Sequence, residues 1–265
     1  MHNFNYHRAG SVDEAAKLIK SASDGKFLAG GHTLLPTMKQ RLASPSDLVD
    51  LAGIGALKGI SVSGGTVTIG AMTTHAEVAN SADVQKAIPA LAALAGGIGD
   101  PHVRNRGTIG GSIANNDPAA DYPAACLGLG ATITTNKREM AADDFFTGLF
   151  STALEEDEIV TKVSFPTPKK AGYAKFANPA SRYAIVGVMV AQTGSGVRVA
   201  VTGAGADGVF RVKAMEDALG GNFSADVIKG IAVPAGDLNS DIHASAEYRA
   251  HLIGVMAKRA VAAAG

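Results

Sequence analysis

The sequence predicts an α+β protein of two units, and three observations carry that expectation. The first is the order of buried strand, glycine loop and helix from Lys26 to Arg41 in the amino-terminal half. The second is a change of texture after Pro166-Thr167-Pro168-Lys169-Lys170, where antiparallel strands follow and then helices. The third is length, since 265 residues can bury one large core or two modest ones.

The elements read in order as follows. Ser11-Val12-Asp13-Glu14 has the form of a capping box, Ser11 at the N-cap and Glu14 at N3, leading into the helix of Ala15 to Lys20. Lys26-Phe27-Leu28-Ala29 reads as a buried strand that runs into Gly30-Gly31. Leu34 to Arg41 then starts a helix with Pro36 in its first turn. Asp47 to Leu51 is a second strand, and Gly53-Ile54-Gly55 a turn. Gly59 to Val62 and Thr66 to Ile69 form a hairpin about Ser63-Gly64-Gly65. Ile88 to Ala95 is an apolar helix, and Gly96 to Pro101 a loop after it. Asn115 to Tyr122 is polar and turn-prone between apolar stretches, as a ligand-facing loop would be. Glu155-Glu156-Asp157-Glu158 reads as a solvated acidic turn before the strand Ile159 to Val163. Ala184 to Ala191 and Val197 to Val201 are strands joined at Thr193-Gly194-Ser195-Gly196. The last helix, Ser245 to Ala264, places Tyr248, Leu252, Val255, Met256 and Ala260 on one face and leaves Arg249, Lys258 and Arg259 for solvent.

Composition removes several classes of function. Lys+Arg and Asp+Glu are equal at 24 with no basic stripe, which argues against nucleic acid and anionic membrane as partners. No 18-residue apolar run predicts an integral membrane segment and the first residues have no signal-peptide core, so the expected location is the cytoplasm. One cysteine, Cys126, permits no internal disulfide and no four-cysteine iron–sulfur cluster, and reads as a buried apolar filler. The seven histidines lack metal-ligand spacing, so no metal is assigned; His75-Ala76-Glu77 is not a zinc motif. Gly203-Ala204-Gly205-Ala206-Asp207-Gly208 matches a dinucleotide fingerprint, but the required following helix and acidic residue are missing, and it reads as a strand-to-helix loop. No Gly-x-Ser-x-Gly elbow occurs, and Asp117 and Asp121 lack the neighbours of an acid–base pair. No catalytic residue is assigned.

The chemistry-bearing feature is a pair of glycine doublets, Ala29-Gly30-Gly31-His32-Thr33 and Thr108-Ile109-Gly110-Gly111-Ser112. Glycine allows close approach of a ligand to the main chain, and successive N–H groups can converge on an anion. A neighbouring Thr or Ser adds a hydroxyl, so two such segments suit one diphosphate; the alternative is that both are tight turns.

These segments resemble the two FAD-diphosphate segments of the medium, flavoprotein subunit of the molybdenum hydroxylases, of the aerobic carbon monoxide dehydrogenase type. Asp100-Pro101-His102-Val103-Arg104-Asn105-Arg106-Gly107, Asp117 to Asp121 and Ser245-Ala246-Glu247-Tyr248-Arg249 fit the same family. The resemblance implies a PCMH-type FAD-binding domain of two α+β subdomains over residues 1–175. A smaller domain over 176–265 would carry a three-stranded antiparallel sheet and a helical bundle. It implies FAD as cofactor, held at the diphosphate by Ala29, Gly30, Gly31, His32 and Thr33 and by Thr108, Ile109, Gly110, Gly111 and Ser112. Asp121 would bond the adenosine side, Val160 would lie in the adenine pocket, Lys175 near the flavin, and Ile98 and Tyr183 over the flavin ring. The implied activity is oxidoreduction by relay: electrons arrive from the [2Fe–2S] clusters of a small subunit, after oxidation on a molybdopterin-containing large subunit, and leave for an external acceptor. The implied assembly is a dimer of heterotrimers, cytoplasmic or peripheral at the inner membrane. A self-contained FAD oxidoreductase and a non-enzymatic nucleotide-binding or assembly module remain as alternative readings.

Overall fold

The computed structural model describes residues 1–265. The chain opens with β1 (Asn5–Arg8), α1 (Val12–Ser21), β2 (Gly25–Leu28), α2 (Leu34–Lys39) and β3 (Asp47–Asp50). These strands form a parallel sheet in the order β1-β3-β2, as crossover helices between strands require. Ser11 caps α1 by accepting from the Glu14 amide, while Glu14 itself accepts from the amide of Gly10, one residue earlier than a strict capping box.

The second unit contains β4 (Ile60–Ser63), β5 (Thr66–Gly70), α3 (His75–Asn80), α4 (Ala82–Ala87), α5 (Pro89–Gly96), α6 (Pro101–Arg106), α7 (Ile109–Asn115) and α8 (Tyr122–Leu129). It continues through β6 (Thr132–Thr135), β7 (Glu139–Ala141), α9 (Ala142–Phe145), β8 (Phe146–Gly148), β9 (Ser151–Thr152) and β10 (Val160–Pro166). Its antiparallel sheet runs β4-β5-β10-β6-β7, with Val163 of β10 opposite Ile69 and Ile133. The β4–β5 hairpin turns at Gly64 and Gly65, both at positive φ, as a two-glycine hairpin turn needs. Helix α8 is buried along its whole length, Cys126 included, which matches its unbroken apolar sequence.

The third unit is an antiparallel sheet of three long strands, β11 (Lys170–Ala177), β12 (Ala184–Thr193) and β13 (Gly196–Thr202), with the two-residue β14 (Phe210–Arg211) at its edge. Helices α10 (Lys213–Gly221) and α11 (Ala246–Ala263) cover one face. The contact is close at Gly172, where a Cβ would fall 2.0 Å from the Ala260 carbonyl oxygen. The other face sends Met189, Ala191 and Ala200 into the core built on α5 and α8, so one sheet serves two cores. Gly203 to Gly208 is a turn between β13 and β14 rather than a direct strand-to-helix loop. It contains an isolated bridge from Gly205 to Leu238.

Two expectations are corrected. Arg249 is not at the solvent face of α11. It is buried, its Nη1 donating to the carbonyls of Ile185 and Gly203 at 2.6 and 2.8 Å and its Nη2 to Asp241 at 2.7 Å, while Tyr248 is the exposed neighbour. The acidic run is only half solvated, because Asp157 pairs with Lys20 and Lys137, and buried Glu158 is bound by Arg138 and by the Thr135 hydroxyl. Those bonds, the Arg138 one foremost, hold the Glu158 carboxyl down to about 2.

Candidate functional site

The two doublets meet. A Cβ on Gly30 would lie 2.2 Å from the carbonyl oxygen of Arg106, and one on Gly111 would lie 3.4 Å from the Ala29 Cβ. Gly30 is thus a close-approach glycine against the chain entering the second doublet, whereas Gly31 serves the turn with φ +74°. The glycines of the first doublet do different work, although they look alike in sequence.

Donor availability separates the two segments. The six consecutive amides from Ala29 to Leu34 donate to no protein acceptor, and all six residues line one cavity. In the second segment, Ile109 and Gly110 donate to the carbonyls of Thr73 and Ala71, and Gly111 and Ser112 donate to the hydroxyl and carbonyl of Thr108. Four of its five amides are therefore engaged, which corrects the expectation of two equivalent amide cradles. Its offering is the Ser112 hydroxyl and a surface without side-chain bulk at Gly110 and Gly111.

The cavity has a volume of about 580 Å³, within the range of pre-formed cofactor sites. Its lining includes the apolar Phe27, Leu51, Met72, Leu154, Ile159 and Val160, with Lys26, Glu155, Glu156 and Glu158 beside them in the chain, and both glycine segments. Ile98, Val103, Arg182 and Tyr183 wall the end where Arg182 Nη1 reaches the Gly99 carbonyl. Every residue singled out in the sequence lines it except Ile109, which is fully buried in the core, and Lys175, which stands behind the wall. Tyr183 is 45% exposed, with its ring on the cavity rim.

Asp121 groups with Ile98 and Tyr183 rather than with Val160. Its carboxylate is taken by the Tyr173 hydroxyl and by Lys175, which also donates to the carbonyls of Gly97 and Arg182. Burial raises the Asp121 carboxyl, and Lys175 and Tyr173 draw it back.

Two residues of the site were not read from the sequence. His75 lines the cavity with its ring 5.3 Å from Tyr122 and its Nδ1 unpartnered, and burial holds the imidazole down to about 4, hence neutral. The signal for its position was Thr74-His75-Ala76-Glu77, a capping box that puts His75 at the first turn of α3. Arg182 adopts φ +62°, and no sequence signal marks a left-handed arginine.

The site fits FAD on its own terms: a run of free amides and the Ser112 hydroxyl for a diphosphate, and aliphatic and aromatic lining residues for flat rings. The fold and the site together define a flavin-binding subunit of the molybdopterin dehydrogenases, and the chain belongs to that family. Residues 2–168 match the FAD binding domain in molybdopterin dehydrogenase, and residues 171–264 the CO dehydrogenase flavoprotein C-terminal domain. The carbon monoxide dehydrogenase medium chain of Hydrogenophaga pseudoflava is 38% identical over 281 residues, spanning 98% of this chain and 96% of that protein. The nicotine 6-hydroxylase medium subunit of Paenarthrobacter nicotinovorans is 37% identical over 274 residues, with the same coverage. Among solved structures, carbon monoxide dehydrogenase from Hydrogenophaga pseudoflava superposes with a TM-score of 0.88 at 38% identity, covering 99% of this chain and 97% of that one. Quinoline 2-oxidoreductase from Pseudomonas putida 86 gives a TM-score of 0.88 at 29% identity, covering 99% and 96%. These relatives act on different substrates, and no helix of this chain is long and apolar enough to cross a membrane.

Proposed function

We propose that this chain is the electron-relay subunit of a molybdenum hydroxylase complex, taking electrons from the [2Fe–2S] clusters of a small subunit and passing them to an external acceptor. The molybdopterin-bearing large subunit would choose the substrate. The observation that carries the reading is the run of six free amides from Ala29 to Leu34, which line a cavity that the Ser181-Arg182-Tyr183 turn also borders. Those amides, with the Thr33 and Ser112 hydroxyls, would hold the diphosphate with neutral donors. Val160, Ile159 and Leu154 would seat the adenine, and Ile98 and Tyr183 would flank the flavin. FAD supplies the chemistry of collecting electrons singly and releasing them in pairs.

The chain's own part is binding, orientation and exclusion of water. Buried His75 stays neutral and adds no charge to the site, and Tyr183, half exposed, limits access by oxygen and acceptor. The test is anaerobic reduction of the FAD-loaded chain by a range of oxidisable small molecules, with and without large and small subunits of this family from the same host. Reduction only in the presence of both partners supports the relay. Direct reduction of the isolated flavoprotein by substrate supports a self-contained oxidoreductase instead.

A further inference from the structure

The walls at the Ile98 end of the cavity come from two different units of the fold. One is the Gly97-Ile98-Gly99 loop after α5, and the other is Ser181-Arg182-Tyr183 between β11 and β12. The first is anchored to its own unit, because Arg104 Nη1 donates to the carbonyls of Ile98 and Gly99 at 3.0 and 2.9 Å. The second is a tight turn that closes on Asn178, whose Oδ1 accepts from the amides of Ala180 and Ser181. Two cations join the walls: Arg182 Nη1 donates directly to the Gly99 carbonyl at 3.3 Å, and Lys175 bridges the loop and the turn through their carbonyls. The Lys175 Nζ donates to the Gly97 carbonyl at 2.8 Å, to the Arg182 carbonyl at 3.0 Å and to Asp121 at 3.1 Å. One ammonium therefore holds the carbonyl just before Ile98 and the carbonyl just before Tyr183.

The ammonium is itself fixed. An alternation of period two puts Tyr173 and Lys175 on the same face of β11, so both reach Asp121, and Gly187 on β12 makes room for the Tyr173 hydroxyl. A Cβ at Gly187 would fall 2.4 Å from that oxygen. An ammonium has three hydrogens, and all three of Lys175 are committed, leaving none for a ligand.

The geometry points to Lys175 as a positioning residue that sets the separation between Ile98 and Tyr183, so that a flat ring fits between them while the lysine touches no part of it. This deepens the reading that FAD occupies the cavity and rests on it. It differs from a role as cofactor ligand, because the lysine acts through two backbone carbonyls.

The test uses the full chain as wild type, Lys175→Met and the double variant Lys175→Met/Asp121→Asn. The double variant matters because methionine alone strands a buried carboxylate, whereas an asparagine amide in place of that carboxylate can still accept from Tyr173. The readouts are FAD affinity, thermal midpoint, visible circular dichroism of the bound flavin, and its rate of reoxidation by oxygen after photoreduction. The expected result is that both variants bind FAD with less than a tenfold loss, alter the flavin dichroism and reoxidise several-fold faster. The double variant recovers most of the thermal midpoint. A folded double variant with wild-type dichroism and reoxidation overturns the proposal, and one that no longer binds FAD makes Lys175 a ligand, which also overturns it. Failure of the wild-type chain to bind FAD would instead defeat the underlying functional reading, a result visible before any variant is made.

Discussion

Replacing Gly30 by alanine tests whether the contact between the two doublets makes the cofactor cradle. The added Cβ lands 2.2 Å from the Arg106 carbonyl oxygen and 2.8 Å from the Gly107 Cα, backbone atoms that cannot swing aside. Restoring ordinary contact requires the two segments to part by roughly 1 Å. Overpacking of this kind costs about 1–3 kcal/mol of stability, which a chain of this size can survive. The cost to binding is larger. If two hydrogen bonds to the charged diphosphate lose their geometry, at about 1.5–3 kcal/mol each, affinity for FAD falls by about a hundredfold to ten-thousandfold. Titration of the full chain with FAD, followed by flavin absorbance and fluorescence, measures this directly. Gly64→Ala is the control: its φ of +56° makes alanine strained by about 1 kcal/mol, yet nothing lies within 4 Å and the site is remote. Folded Gly30→Ala with FAD affinity within threefold of wild type would refute the reasoning.

Two further outcomes follow from buried polar groups. The His75 imidazole, held at about 4 against an ordinary 6.5, refuses a proton that the unfolded chain accepts. Its effect is therefore absent above pH 7 and grows as pH falls from 6.5 toward 4, reaching a loss of about 2 kcal/mol at pH 5. His75→Gln should flatten that part of the stability–pH curve by urea unfolding at pH 7 and 5, and an unchanged slope would remove His75 as its source. Arg249→Ala strips partners from the carbonyls of Ile185 and Gly203 and from Asp241, and should lower stability by about 3 kcal/mol or more by the same assay. A loss below 1 kcal/mol would show that water replaces the guanidinium.

The local elements were legible because each depends on neighbours in sequence. Ser11 with Glu14, the Gly64-Gly65 hairpin and the apolar helix after Ile88 were recognised from spacing alone, and the doublets marked the cavity. Long-range partners were not legible. Arg249 counts as a surface cation in any helical wheel, and only the carbonyls of Ile185 and Gly203, 64 and 46 residues away, make it an interior one. The same holds for Glu158, whose partner Arg138 lies 20 residues upstream, and for Asp121, claimed by two residues of β11. Glycine has no side chain to betray its role, so the free amides of the first doublet and the spent amides of the second could be told apart only once the acceptors Ala71 and Thr73 were in place.

The loop from Asn115 to Asp121 crosses the ends of the two central strands of the carboxy-terminal sheet and is stitched to them. Ala184 and Gly203 donate their amides to the carbonyls of Ala119 and Pro118, and the Thr202 hydroxyl bonds the carbonyls of Pro118 and Ala120. With the sheet's other residues sunk in the core under α8, the amino- and carboxy-terminal parts of the chain share one seam. A seam of this kind couples melting of the two parts. Neither can loosen without uncovering the other, so a ligand gripped by one part reports mechanically on both. On the proposed reading the chain would act as a single stiff mount, and a ring held in it would keep a fixed distance to a partner docked outside.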